Sequence, residues 1–336
     1  MTRARLAALG VALVAATGAA ACGSSAPPAA APTTTASSGD ATAPTTAVPP
    51  PAPDAAARPY EVDVVELTLV DPSRPVTDAE GTEVAAERTL PTVVHVPRGD
   101  GPFPFVAFAH GFGGDPQRFS QLLGAWAEAG YVVAAPTFPI TSAGSPYFRP
   151  EAWVGIADQP GDISFVIDEV LRLTAEGGNE LSGTVDPDRI AAAGMSLGGG
   201  TTFGVAFNDC CRDDRLDAVT IISGIPFPVG GELDLTGGLP TFVIHGDADA
   251  TLPYARAEAT FAELEPPKFL LTLFGGSHSP PSEDWESPWD TVVETTTVDF
   301  WDAYLATAGG EPDETAIARL ETDAVAGDVA TLDANP

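Results

Sequence analysis

Ala191-Ala-Ala-Gly194-Met-Ser196-Leu-Gly198-Gly-Gly200 decides how this chain is read. Arg189 to Ala193 is a short, largely apolar run of the kind that forms a buried strand. The Gly-, Thr- and Phe-rich stretch after Gly198 reads as a helix. Between them Gly194-Met-Ser196-Leu-Gly198 is a G-x-S-x-G placed on a strand-to-helix turn. Such a turn demands small residues on both sides of the serine and lifts the Ser196 hydroxyl clear of the sheet. A lone G-x-S-x-G is a weak signal in a chain with 34 glycines. The strand before it, the helix after it and suitable partners downstream give it weight.

Outward from this turn, strands alternate with helices. Val62 to Val70 and Thr89 to Val96 read as strands with no helix between them, hence an antiparallel hairpin or meander. Phe103 to Ala109 and Tyr131 to Ala135 are near-continuously apolar, as strands covered on both faces should be. Phe119 to Ala129 and Ile163 to Leu173 carry helical periodicity. Further strands are expected at Ala218 to Ile222, Pro240 to Ile244 and Phe269 to Phe274. Helices are expected at Tyr254 to Leu264 and from about Trp289 to Ala306. The pattern predicts an α/β fold with a mostly parallel central sheet and helices on both faces. No long insertion between Ala218 and Pro240 suggests a large cap domain, so the cleft is expected to be open.

Ser196 needs a base. Of the four histidines, His278 lies in Phe274-Gly-Gly-Ser-His278, the loop after the last predicted strand, where sites of this class assemble at the ends of parallel strands. A neutral imidazole there could take the Ser196 proton and return it to a leaving group. His95, His110 and His245 read as structural hydrogen-bonders. The orienting acid should follow the preceding strand, in His245-Gly-Asp247-Ala-Asp249-Ala-Thr-Leu-Pro253, where Asp247 and Asp249 are both available. The order Ser, Asp, His is the one this strand-turn-helix arrangement uses. An oxyanion hole is expected from the backbone amides of Leu197, next to the serine, and Phe112, in the flexible loop His110-Gly-Phe-Gly-Gly114. Asp162 reads as an N-terminal helix cap.

Composition sets the surroundings. The formal net charge is -32, from 15 Lys and Arg against 47 Asp and Glu. So acidic a surface repels nucleic acid and anionic membranes, which excludes both as direct partners, and it favours solubility. The N-terminus reads as a targeting signal: Arg3 and Arg5, an apolar run from Leu6 to Thr17 too short to span a membrane, then small residues up to Ala21. Residues 1–21 are therefore expected to be removed on export. Residues 22–58, rich in Ala, Pro, Thr and Ser, cannot bury enough surface to fold and read as a tether. The folded domain is expected over 59–309. Residues 310–336, acidic and poor in large side chains, read as a short helix at most and a loose tail. Cys210 and Cys211 are adjacent and in an oxidising compartment have only each other within the chain, as a vicinal disulfide or as two thiols. No metal or organic cofactor motif is present, and a monomer is expected.

His110-Gly-Phe-Gly-Gly, Gly194-Met-Ser-Leu-Gly-Gly, His245-Gly-Asp-Ala-Asp and Gly276-Ser-His278 together resemble the α/β-hydrolase superfamily over roughly residues 60 to 305. Within it the chain is similar to dienelactone-hydrolase-like proteins, platelet-activating-factor acetylhydrolases, chlorophyllase-like proteins and cutinase-type polyester hydrolases. The resemblance implies Asp249 as the acid, since Pro253 follows it at the family's spacing. It also implies an aromatic clamp at Phe227. Tyr147, Phe148, Trp285 and Trp289 are further candidates for the cleft, against ordinary packing under loops. Ser196 in place of a cysteine argues against dienelactone hydrolase activity, and Met195 stands where polyester hydrolases usually carry Trp or His. Residues 18–22 resemble a bacterial lipoprotein signal, with Ala19 where Leu is usual, and imply lipidation of Cys22. The expected protein is a secreted or outward-facing, membrane-tethered serine hydrolase of small or polymeric carboxylic esters. A peptidase of the oligopeptidase type is the alternative enzyme, though about 250 folded residues leave no room for its usual added domain. A non-catalytic binding lipoprotein on the same fold is the other.

Overall fold

A nine-stranded sheet carries the fold, in a computed structural model that describes residues 59–150, 152–279, 282–284, 286–305 and 311–336. The proposed signal, Cys22 and the tether lie outside the described residues. The chain enters through β1 (Val62–Asp71), a two-stranded excursion β2 (Val76–Thr77) and β3 (Glu83–Ala85), then β4 (Arg88–Pro97) and β5 (Phe103–Ala109). Helix α1 (Ser120–Glu128) leads to β6 (Val132–Pro136), α2 (Gln159–Ala175) to β7 (Val185–Met195), and α3 (Leu197–Phe207) to β8 (Leu216–Ile222). After β9 (Thr241–Gly246) come α4 (Tyr254–Glu263), β10 (Lys268–Leu273), α5 (Asp290–Leu305), α6 (Glu314–Asp323) and β11 (Ala330–Asn335).

Spatial order is β1-β4-β6-β5-β7-β8-β9-β10-β11. The six central strands from β6 to β10 run parallel, while β4 and β11 are antiparallel to their neighbours. This is the mostly parallel sheet wrapped by helices that the strand and helix pattern predicts, and the α/β-hydrolase architecture that the motif resemblance implies. Alternation along β5 shows why both faces are apolar. Phe105, Ala107 and Ala109 join one core with Ile163 and Val166 of α2, Phe203 and Phe207 of α3, and Phe261 of α4. Val106 and Phe108 face the other core, with Leu123 and Trp126 of α1, and Phe300 and Trp301 of α5. The indole N–H groups of the two buried tryptophans are satisfied: Trp126 donates to Thr297 Oγ1 at 2.7 Å and Trp301 to Thr220 Oγ1 at 3.1 Å. Among the described residues, no helix interrupts the connection from β8 to β9, so no cap rises over the sheet there.

The C-terminal residues depart from the expected loose tail. Asp313 caps α6 by accepting from the Thr315 and Ala316 amides, and β11 pairs antiparallel with β10 from Ala330 to Asn335. Ala330, Leu332 and Ala334 turn toward the core while Thr331, Asp333 and Asn335 face solvent. Pairing satisfies the open edge of β10, so small side chains at period two suffice. Asp162 is likewise not a cap. α2 begins at Gln159 with Pro160 in its first turn, and the Asp162 carboxylate is buried against Arg88, which donates to it twice at 2.7 Å. Burial pushes the Asp162 carboxyl up from its ordinary value, against the pull of Arg88.

Candidate active site

Ser196 stands between β7 and α3 with φ 56° and ψ −115°, a left-handed backbone at a residue that is not glycine. Such strain persists only where the surroundings dictate it. Here they do. The Ser196 amide donates to Ile222 O at 2.9 Å. A methyl on Gly194 would overlap the Gly198 carbonyl, and one on Gly198 would overlap Ala109 O. In the buried run from Ile190 to Gly200, Ser196 alone is part-exposed.

The loops after β9 and β10 are stitched together beside it. A Cβ on Gly246 would overlap the Gly276 carbonyl, Ala248 N donates to Gly276 O at 3.1 Å, and Asp247 N donates to Leu273 O at 3.1 Å. The Asp247 carboxylate accepts from the Gly275 amide at 2.7 Å and braces the loop. Asp249 is the one that reaches the imidazole: His278 Nδ1 lies 2.6 Å from Asp249 Oδ2, and His278 Nε2 lies 2.7 Å from Ser196 Oγ. A carboxylate beside Nδ1 fixes the proton there, which leaves Nε2 free to accept from the serine. The Asp249 side chain is fully buried. Its Oδ1 accepts from the Thr251 and Leu252 amides at 2.8 and 2.9 Å.

His245 has a part that sequence reasoning assigned only as structural. Its Nε2–H donates to Leu252 O at 2.8 Å and stands 3.2 Å from Asp249 Oδ2. Its Nδ1 is buried without a hydrogen-bond partner, and burial lowers its pKa. A second proton would have no acceptor, so His245 stays neutral and supports Asp249 without competing for charge.

Gly111 places the first loop against Ser196, since a Cβ there would lie 3.3 Å from Ser196 Cβ and 3.2 Å from Met195 Sδ. Phe112 follows it. Leu197 is the first residue of α3, so its amide has no acceptor within the helix. His110 pins the loop: Nδ1–H donates to Gly111 O at 2.8 Å, and Nε2 accepts from the Phe138 amide at 3.2 Å. Burial drives the His110 pKa down to about 4. It is therefore neutral and fully occupied, and unfit as a base for Ser196. Gly113 N donates to Thr141 O at 2.7 Å.

The aromatic candidates separate. The Phe112 ring is 36 % exposed and lies 5.3 Å from the Phe148 ring. Tyr147 instead packs with Val76 and Ile140 under the β2–β3 pair, where the small apolar cluster accommodates its ring. Phe227 is half-buried with Leu197, Ile156 and Val229, pressed on Gly200 of α3. Trp285 lies outside the described residues. Cys210 and Cys211 are joined as a vicinal disulfide with Cα atoms 3.8 Å apart, and Cys211 packs in the Phe227 cluster. Among the described residues no group of His, Cys, Asp and Glu is arranged to hold a metal ion.

Sequence reasoning missed the buried bridge Thr141–Gln159–Thr201, whose three side chains are fully buried. Gln159 Nε2 donates to Thr141 Oγ1 at 2.6 Å and Gln159 Oε1 accepts from Thr201 Oγ1. The only sequence signal was Gln-Pro at a helix start, which announces a first turn and not a buried amide.

A scan against family models matches the chlorophyllase family over residues 70–242. The match takes in the His110 loop and Ser196 and ends before Asp249 and His278. No curated protein matches the chain.

Proposed function

From the premise that this chain belongs to the chlorophyllase family, a family of ester hydrolases on the α/β-hydrolase fold, we propose that it is a serine hydrolase of carboxylic esters acting through Ser196, His278 and Asp249. The observation that carries this reading is the unbroken chain of contacts at 2.7 and 2.6 Å from Ser196 Oγ through His278 to Asp249. Ser196 Oγ attacks the ester carbonyl as its proton passes to His278 Nε2. Asp249 holds the ring and stabilises the imidazolium. The Phe112 and Leu197 amides receive the oxyanion. His278 then protonates the departing alkoxide, and a water deprotonated by His278 releases the acid from Ser196. The Phe112–Phe148 aromatic pair and Phe227 offer apolar surface suited to lipid acetyl esters or polyesters. The enzyme acts outside the cell as a monomer, tethered through a lipid on Cys22 or released after cleavage near Ala21.

A fluorophosphonate probe tests the site. The folded wild type should form a covalent adduct that peptide mapping places on Ser196, and Asp249→Asn should slow its formation. An adduct elsewhere, or none on folded protein, would remove the proposal.

A further inference from the structure

We infer that Gln159 is a positioning residue for the oxyanion hole, holding the loop that carries Phe112 at a set distance from the helix that carries Leu197. The inference rests on the proposed hydrolase reading.

Two amides from separate elements must converge on one oxygen, to within a few tenths of an ångström. Phe112 lies on the loop after β5, whose next residue, Gly113, donates to Thr141 O at 2.7 Å. That loop is also tied through His110 to the Phe138 amide. Both anchors, Phe138 and Thr141, belong to the loop after β6. Leu197 heads α3, and Thr201 stands one turn further on, its hydroxyl 3.2 Å from Leu197 O. Gln159, the first residue of α2, joins the two sides. Its amide nitrogen donates to Thr141 Oγ1 at 2.6 Å, and its carbonyl accepts from Thr201 Oγ1.

An apolar side chain would fill the same space without the desolvation that a fully buried amide incurs. A glutamine there is stable only because both ends are bonded. The planar amide puts donor and acceptor in opposed, fixed directions. The two threonines are thus held one amide apart, and through them the Gly113 amide and the first turn of α3. Gln159 hydrogen-bonds to neither the Ser196 hydroxyl nor His278, so its effect should fall on oxyanion stabilisation alone.

The test compares wild type, Gln159→Met, Thr201→Val and the double variant on p-nitrophenyl butyrate, with the pH–rate profile and melting curve of each. Deleting one oxyanion donor costs about 100- to 1000-fold in kcat. A donor displaced rather than deleted should cost about tenfold or somewhat more. Gln159→Met is expected to lose that much kcat, keep KM within about twofold, and leave the acid limb of the profile where it stands in the wild type. The double variant should lose no more than the larger single loss, because one bridge is cut twice. Wild-type kcat in folded Gln159→Met overturns the inference, as does a loss confined to KM or an acid limb that moves. If Gln159→Met does not fold, the isosteric Thr201→Val is judged by the same three criteria. Wild-type protein that turns over no ester defeats the hydrolase reading instead, which separates the two failures.

Discussion

A methyl group on Gly198 would overlap the carbonyl oxygen of Ala109, because the head of α3 is pressed onto the end of β5. The contact is backbone against backbone, and neither side can swing away. Gly198→Ala should therefore destabilise the domain by about 2–4 kcal/mol through overpacking. Gly113→Ala makes the useful contrast. Gly113 has φ +73° but open space around its Cβ position, so the backbone penalty alone applies, about 1–2 kcal/mol. Urea unfolding of the two variants should rank them in that order.

Asp249→Asn should leave the fold intact and lower kcat by about four orders of magnitude. The amide would present its NH2 or its oxygen to His278 Nδ1, and the two amides now bonded to Oδ1 require the oxygen. The NH2 then faces the ring and forces the proton onto Nε2, where it blocks acceptance from Ser196. Asp247→Asn keeps an acceptor for the Gly275 amide and should lose less than about tenfold. Steady-state rates on one chromogenic ester distinguish the two.

His110 makes stability depend on acid. Its folded pKa of about 4 lies below the ordinary value of 6.5, so between those limits the unfolded chain binds a proton that the native protein refuses. The contribution is whole above about pH 6.5 and is lost as pH falls toward 4, at up to about 1.4 kcal/mol per unit. His110→Gln should be less stable than wild type at pH 7.5. It should also lose less stability between pH 7.5 and pH 5, as read by denaturant titration at each pH.

Asp299 has the opposite sign. Burial, with Asp323 adding to it and Arg319 opposing, raises its carboxyl to about 7. It sits at the contact of α5 with α6, where Arg319 donates to Asp299 at 3.0 Å and to Asp302 at 2.7 Å. The native state holds this proton at pH values where the unfolded chain has released it. Stability from this group is thus full below about pH 4 and is lost as pH rises through 7. The melting temperature of Asp299→Asn relative to wild type should climb from pH 5 to pH 8; a constant difference would remove this assignment.

Much of this was readable in the sequence, for physical reasons that differ by element. The turn at Ser196 announces itself because Gly194 and Gly198, two residues to either side, must lack side chains, and β5 to β9 do so because both faces are buried. Asp247, Asp249 and His278 stand out as polar groups placed just past apolar strands, and only the family resemblance separated Asp249 from Asp247. β11 was hidden: an edge strand buries one face only, and Ala330, Leu332 and Ala334 bury it with little apolar area. The start of α2 was hidden by Pro160, which reads as a break and serves as a first turn. Gln159 and the choice of Phe148 over Tyr147, both named as candidates, beside Phe112 depend on which loops meet, a tertiary fact without local periodicity.

The central claim is that Ser196 is the nucleophile of an ester hydrolase, and turnover of p-nitrophenyl butyrate by purified wild type beside Ser196→Ala tests it most directly. The wild type should hydrolyse the ester, and the variant, with an unchanged melting curve, should fall by about six orders of magnitude or to the uncatalysed background. Equal turnover by the two proteins would contradict the account.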